Sequence, residues 1–230
     1  TFPNIYFANS GDKARVKSVE NLGVVGWVSL KSAFEGCSNM TSFVAGSTDT
    51  SAVADMSSLF FRCSSLTSLD LSGFDTSAAT VMFSMFNACS SLTSLNLSGF
   101  DTSAVTAMFS MFRGCSSLTF LDITGFDTSA VTNMFAMFRD NSSLTDIIGV
   151  DNFNIEGLDG TTSLNNFAAN VTLPTARYDA LLINWDAQNP LDGMSPDFGN
   201  SKYTAGGTAA AARANLISTD GWTITDGGTA

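Results

Sequence analysis

The sequence predicts an α/β repeat fold: a curved solenoid with a parallel β-sheet on one face and short helices on the other. Residues 64–89 and 90–115 are near-identical copies spaced 26 residues apart, and 38–63 and 116–140 are more divergent copies in the same register. A fixed period of about 20–50 residues is typical of stacked repeats, in which each unit buries its apolar side against its neighbours.

Residues 90–115 illustrate the pattern inside one repeat. The spacing Leu-x-x-Leu-x-Leu that begins at Leu92 is that of leucine-rich repeats, and it predicts a short strand around Ser94–Leu97. The pattern Met-x-x-Met-Phe-x-x-Cys that ends at Cys115 has one apolar residue per helical turn, which predicts a short helix. Asp101 begins the Asp-Thr-Ser turn between the two elements, and all three residue types are preferred helix N-caps.

The repeats are expected to form one structural domain with two terminal caps. Residues 1–37 are interpreted as an N-terminal cap with a divergent first repeat, and residues 1–7 as a short strand within it. Residues 38–170 hold the leucine-rich repeats of about 26 residues. Residues 171–230 are expected to form a C-terminal cap of two helices and a final strand.

The C-terminal part of the chain departs from the repeat in a way that predicts its elements. Asn141 stands where Cys is expected, an insertion follows near 152–162, and a last strand is expected at 171–173. An amphipathic stripe predicts a helix over 176–186, with Thr175 as its N-cap. After a long loop, an Ala-rich helix is expected over 208–218 and a strand over 222–225.

Charge and composition exclude several function classes. The net charge is −11, from 21 acidic and 10 basic residues, which argues against nucleic acid and anionic membranes. The chain has no His, the commonest general base and transition-metal ligand. No apolar run is long enough to span a bilayer, so membrane insertion is not expected. No catalytic motif stands out, and the chain is not expected to be an enzyme.

The four cysteines occupy one equivalent position of the repeat. Cys37, Cys63, Cys89 and Cys115 lie 26 residues apart, each at the last apolar position of the predicted helix. Cysteine in such a position behaves as a small hydrophobe. The sequence therefore predicts reduced, buried thiols and no disulfide framework.

The combined repeat LTSLDLSGFDTSAVTxMFSMFRGCSS closely resembles the 26-residue repeat of bacterial surface proteins called BspA-like leucine-rich repeats. The resemblance covers residues 32–170, and the 178–225 segment resembles the closing segment of such arrays in large bacterial adhesins. It implies an extracellular, cell-surface module of a larger exported protein. The implied partner is a protein, peptide or glycan on another cell surface, and the implied function is adhesion without catalysis.

The outward positions of the predicted strands are the candidate ligand-binding residues. Short hydroxyl, amide and acidic side chains suit sugars or extended peptides, and Phe120 is a large apolar residue in a column of otherwise polar residues. The alternative is a solvated polar face with one exposed aromatic. The candidates are Thr67, Ser68, Asp70, Thr93, Ser94, Asn96, Thr119, Phe120, Asp122 and Asp146.

A second candidate surface is the column formed by Phe83, Phe109 and Phe135. These side chains follow the first Met of each helical stripe and are expected on its shoulder, outside the centre of the core. They could form a self-association surface of a structural spacer module, or they could stack on one another within the chain. A monomer is expected in preference to a homodimer.

Acidic residues suggest few metal sites. The column Asp49, Asp75, Asp101 and Asp127 is interpreted as helix capping. The oxygen-rich insertion, residues 151–159, has ligands that suit calcium but lacks EF-hand spacing. No cofactor or metal site is therefore assigned, with calcium left as the one open alternative. The tail loop, residues 192–203, could line a ligand pocket against Trp185 or could be a capping loop held by its own hydrogen bonds.

Overall fold

The computed structural model describes residues 11–230, so the strand predicted at 1–7 lies outside the described residues. Five short strands and two α-helices are present, with 3-10 helices at Gly11–Arg15 and Val150–Asn152. The strands are β1 (Ser18–Val19), β2 (Ser42–Val44), β3 (Ser68–Asp70), β4 (Phe120–Asp122) and β5 (Asp146–Ile148), and the helices are α1 (Thr175–Asp186) and α2 (Gly207–Ser218).

The strands form two small parallel sheets, β1-β2-β3 and β4-β5. Ser18 pairs with Ser42 and Ser42 with Ser68, while Phe120 pairs with Asp146. Equivalent positions of successive repeats are thus neighbours in space. The third repeat, residues 90–115, contributes no strand, so the strand predicted around Ser94–Leu97 is wrong and the sheet is divided there.

The segments predicted as short helices are instead turns that form a second ladder between repeats. Alternate N–H groups of residues 82–88 donate to carbonyl oxygens of residues 107–113 in the next repeat at 2.7–3.1 Å. Ser84 and Ala88 have φ of 55° and 61°, in the left-handed region. An α-helix needs right-handed residues whose N–H groups bond within their own segment. The helix prediction is therefore wrong within each described repeat.

Phenylalanine rings form a continuous stack through the core of the repeats. Phe60 lies 5.9 Å from Phe86, Phe86 lies 5.7 Å from Phe112, and Phe112 lies 5.7 Å from Phe138, measured between ring centroids. These four side chains are fully buried. Stacked, desolvated rings at this spacing contribute both burial and ring–ring attraction, so the stack holds the repeats together behind the strands.

The cysteines are free and buried, as the sequence predicts. The Sγ atoms of Cys63, Cys89 and Cys115 each donate to a Phe carbonyl of the preceding repeat at 3.1 Å. Asn141 takes the same position, and its amide nitrogen donates to the Phe112 carbonyl at 2.9 Å. Burial raises the pKa of the Cys115 thiol to about 12, which keeps it protonated as a donor. The column is therefore a line of cross-repeat hydrogen bonds as well as a hydrophobic contact.

The two helices predicted in the C-terminal cap are present and pack on each other. Asp226 is almost completely buried, and it accepts hydrogen bonds from the Tyr178 hydroxyl at 2.7 Å and from Arg213 Nε at 2.8 Å. Pro174, and not Thr175, precedes the first helical turn. The strands predicted at 171–173 and 222–225 do not form, although one parallel bridge joins Asp197 to Thr225.

Candidate functional site

The structure places the predicted ligand-binding residues on one face, here called the strand face. Asp146 is half-buried, and its carboxylate oxygen lies 3.2 Å from Arg177 Nε. The other nine predicted residues are exposed, so none of them is needed to fill the core. The exposed nine are Thr67, Ser68, Asp70, Thr93, Ser94, Asn96, Thr119, Phe120 and Asp122.

Asp70, Asn96 and Asp122 form one column of the strand face and close the turn after each strand position. In each case the Oδ1 atom accepts the backbone N–H of the residue two positions on, at 3.0–3.1 Å. The backbone N–H of Ser72 lowers the pKa of Asp70, and the hydroxyl of Thr124 lowers that of Asp122. Both carboxylates therefore carry negative charge at neutral pH, and one oxygen of each remains available to a ligand.

Phe120 is the large apolar side chain on this face. Its side chain is 47 % exposed, and residues Phe120 and Asp122 lie two positions apart on β4, so they point to the same side of the strand. An exposed ring beside hydrogen-bond acceptors offers both apolar contact area and orientation, the combination that ligand sites use.

The divided sheet was not predicted from the sequence, and it lies in the middle of this face. On its flanks, Thr67 N–H donates to the Thr41 carbonyl at 3.0 Å and Thr145 N–H to the Thr119 carbonyl at 2.9 Å. Within the described part of the chain, residues 93–97 have no such bond: their N–H groups find no protein acceptor, and the carbonyl groups of residues 93–96 accept none.

Two crevices flank this unpaired segment. The first has a volume of about 200 Å³ between residues 95–98 and 122–125. The second has a volume of about 190 Å³ between residues 69–72 and 96–100. Leu69 is only half-buried, whereas Phe43 and Leu121 at the equivalent position of paired repeats are fully buried. The division therefore opens the floor of the strand face toward solvent.

The Asp column predicted to cap helices caps turns instead. Asp75, Asp101 and Asp127 each accept hydrogen bonds from a Ser two residues later, and these bonds lower the pKa of all three carboxyls. Beside them, buried Thr hydroxyls join the repeats: Thr76 Oγ1 donates to the Asp101 carbonyl at 3.0 Å and accepts the Asp101 N–H at 2.8 Å. The 26-residue recurrence of this Thr could have revealed the ladder.

The shoulder phenylalanines lie half-buried on the ladder side of the repeats. Phe83 and Phe109 stack with ring centroids 4.4 Å apart, and Lys31 Nζ lies 6.0 Å from the Phe83 ring. Phe135 has no ring partner among the described residues. The stacking alternative therefore holds for one pair, and the self-association alternative is left to Phe135 and the exposed edges of the pair.

The acidic insertion has protein partners for its carboxylates. Asp151 pairs with Arg177 Nη1 at 2.7 Å, and Asp159 accepts the Ser163 hydroxyl at 3.3 Å. Residues 11–230 contain no group of three acidic, Cys or His side chains arranged to hold a metal. In the tail, Trp185 is completely buried, so the pocket predicted against its side chain is wrong.

The fold and the exposed strand positions define a repeat protein with parallel strands on one face. Residues 28–153 match the model of the family described as "Mycoplasma protein of unknown function, DUF285". The match covers more than half of the chain, and the chain belongs to this family. No curated protein matches the chain. Among the described residues, no helix is both long and apolar enough to cross a membrane.

Proposed function

We propose that the chain is a leucine-rich-repeat solenoid that serves as a non-catalytic ligand-binding module of an exported bacterial surface protein. Its sequence resemblance to BspA-like repeats supports an adhesin on the cell surface. The ladders that join equivalent positions 26 residues apart support a rigid stack, because each repeat bonds to its neighbours through both main chain and side chains.

The observation that carries the proposal is the exposure of the strand face with Phe120 at its centre. Nine polar or aromatic positions are exposed on a scaffold whose core is filled without them. A preformed surface of this kind pays little ordering entropy when it binds. The proposed ligand is a protein, peptide or glycan on another cell.

The test is adherence of beads that carry the purified domain to a panel of target cells. We expect Phe120→Ala to reduce adherence several-fold, because an exposed ring on a binding face supplies much of its apolar contact. Leu191→Ala is the matched control, since Leu191 is 40 % exposed and lies in the tail loop away from the strand face. Equal adherence of the Phe120 variant and the unmodified domain would contradict the proposal.

A second candidate function is self-association through the shoulder phenylalanines. It is favoured by Phe135, which is half-buried and has no ring partner among the described residues. If the chain is a spacer that assembles through this column, its mass in solution should exceed that of a monomer, and Phe135→Ser should restore the monomer. A monomeric mass for the unmodified chain would exclude this function.

A further inference from the structure

The main chain of the third repeat is an unpaired strand position inside an otherwise paired face. Thr93 through Leu97 offer alternating N–H and C=O groups along both edges, and neither edge bonds to protein atoms of the described chain. The facing edges of β3 and β4 are unpaired as well, since neither sheet includes the third repeat. Unpaired strand edges are the groups through which a sheet accepts another extended chain.

The opening is confined to the strand face, because every other corner of the third repeat is bonded. Behind the crevices the Phe86 and Phe112 rings are stacked, and Met82 N–H donates to the Ala107 carbonyl at 3.1 Å. The turn is fixed through Thr76 and Asp101. The crevices are therefore held open by a scaffold that is closed on its other sides.

The two crevices are lined by acidic and neutral residues. Asp70 and Asp122 stand at their rims with Asn96 between them, and no Lys or Arg occurs in 67–72, 93–98 or 119–124. An incoming basic group would meet unneutralised carboxylates, while an acidic one would be repelled. The charge of the site favours a cationic partner.

The form of the groups favours a peptide over a small enclosed molecule. Each crevice holds about 200 Å³ or less, below the roughly 300–1,000 Å³ of pockets that surround a drug-sized ligand. Main-chain donors and acceptors that repeat at about 3.3 Å per residue match the groups of another extended chain. A segment lying along the lips of the crevices would satisfy them without entering the core.

We propose that the third repeat binds an extended, positively charged peptide segment by β-strand pairing with Thr93–Leu97. This inference rests on the strand face being the binding face, and it specifies the class of ligand and the mode of recognition. Side chains that alternate along the segment would point toward Asp70 and Asp122 on one side and away from the protein on the other.

The experiment uses the full chain and a short blocked peptide of alternating lysine and threonine. We expect saturable binding that slows amide hydrogen exchange at 93–97 and leaves exchange at 42–44 unchanged. The same peptide with glutamate in place of lysine should bind at least tenfold more weakly. The lysine peptide with alternate N-methylated amides should also lose at least tenfold, because one of its edges can no longer donate.

Protein variants separate charge from fold. The double variant Asp70→Asn, Asp122→Asn keeps the Oδ1 acceptors of the two turns, and we expect it to weaken the lysine peptide by about threefold to tenfold, the range for two exposed charge contacts. Asp75→Asn with Asp101→Asn is the matched control, because these two carboxylates accept the same type of bond in a different turn. The control should bind as the unmodified chain does.

Three outcomes would overturn the inference. Equal binding of the N-methylated peptide would show that strand pairing is absent. Protection of residues other than 93–97 would place the peptide elsewhere. Protection of 93–97 by an oligomannose but not by the lysine peptide would make the ligand a glycan. In the last case Phe120→Ala would still reduce bead adherence, so the failure of this inference and the failure of the proposed function are distinguishable.

Discussion

The second and third repeats, residues 64–89 and 90–115, have nearly the same sequence and different main-chain pairing. The strand window reads SLDLS at 68–72 and SLNLS at 94–98, a difference of one residue. The first window forms β3 and pairs with β2, while the second pairs with neither neighbour. Asp70 and Asn96 make the same turn hydrogen bond in both, so that single substitution does not account for the difference.

The comparison teaches that the ladders of this fold are separable. The turn ladder, the Phe stack, the Thr bonds and the Cys bonds run through both repeats, and the strand ladder stops at one of them. A repeat can therefore release its strand pairing to face a ligand while the remaining contacts keep it in place. Function can then be located in one repeat of a nearly uniform array.

The largest expected effect tests whether the two repeats are alike behind the strand face. Phe86→Ala and Phe112→Ala should each lower the free energy of unfolding by about 3–5 kcal/mol, since each removes a fully buried ring and leaves a cavity. Chemical denaturation measures both. A Phe112 variant that loses much less than the Phe86 variant would mean that the third repeat is loosely packed throughout and not only at its strand.

The next effect sharpens the comparison at equivalent glycines. A Cβ added at Gly73 would lie 2.3 Å from the Gly46 carbonyl oxygen, whereas a Cβ at Gly99 meets nothing within 4 Å. Gly73→Ala should therefore destabilise the chain by about 1–3 kcal/mol through overpacking. Gly99→Ala should change stability by less than about 1 kcal/mol. Equal losses in denaturation experiments would mean that both repeats approach their neighbours equally closely.

The smallest expected effect concerns pH and the turn carboxylates. Hydrogen bonds lower the pKa of Asp70 and Asp122 below the ordinary 3.8. A depressed pKa adds stability that is fully present above the ordinary value and is lost as pH falls through the folded-state value. The double variant with Asn at both positions should lose less stability on acidification, as followed by denaturation midpoints at neutral and acidic pH. A loss identical to that of the unmodified chain would show that these bonds do not contribute.

The sequence was sufficient for the features that depend on burial and period. It predicted the parallel strands at 68–70 and 120–122, the buried free cysteines and the two cap helices, because apolar spacing and recurrence report which side chains are inside. The segment ending at Cys115 was assigned wrongly because a helix and a turn ladder bury apolar residues at the same spacing. What separates them is the partner of each N–H group, and that partner lies in the next repeat.

The candidate site was predicted in part for a similar reason. Exposure of the strand-face side chains follows from the two-residue period of a strand, and nine of the ten predicted residues are exposed. The pairing of Asp146 with Arg177 depends on how α1 docks, which local sequence does not encode. The unpaired main chain of 93–97 has no sequence signal, since SLDLS and SLNLS have the same pattern of apolar and polar residues.

Amide hydrogen exchange on the free chain tests the central claim most directly. If the strand ladder stops at the third repeat, the amides of 93–97 should exchange much faster than those of the paired strands at 42–44 and 146–148, because open main-chain groups have little protection. Protection at 93–97 equal to that of the paired strands would show a continuous sheet in solution and would contradict the account.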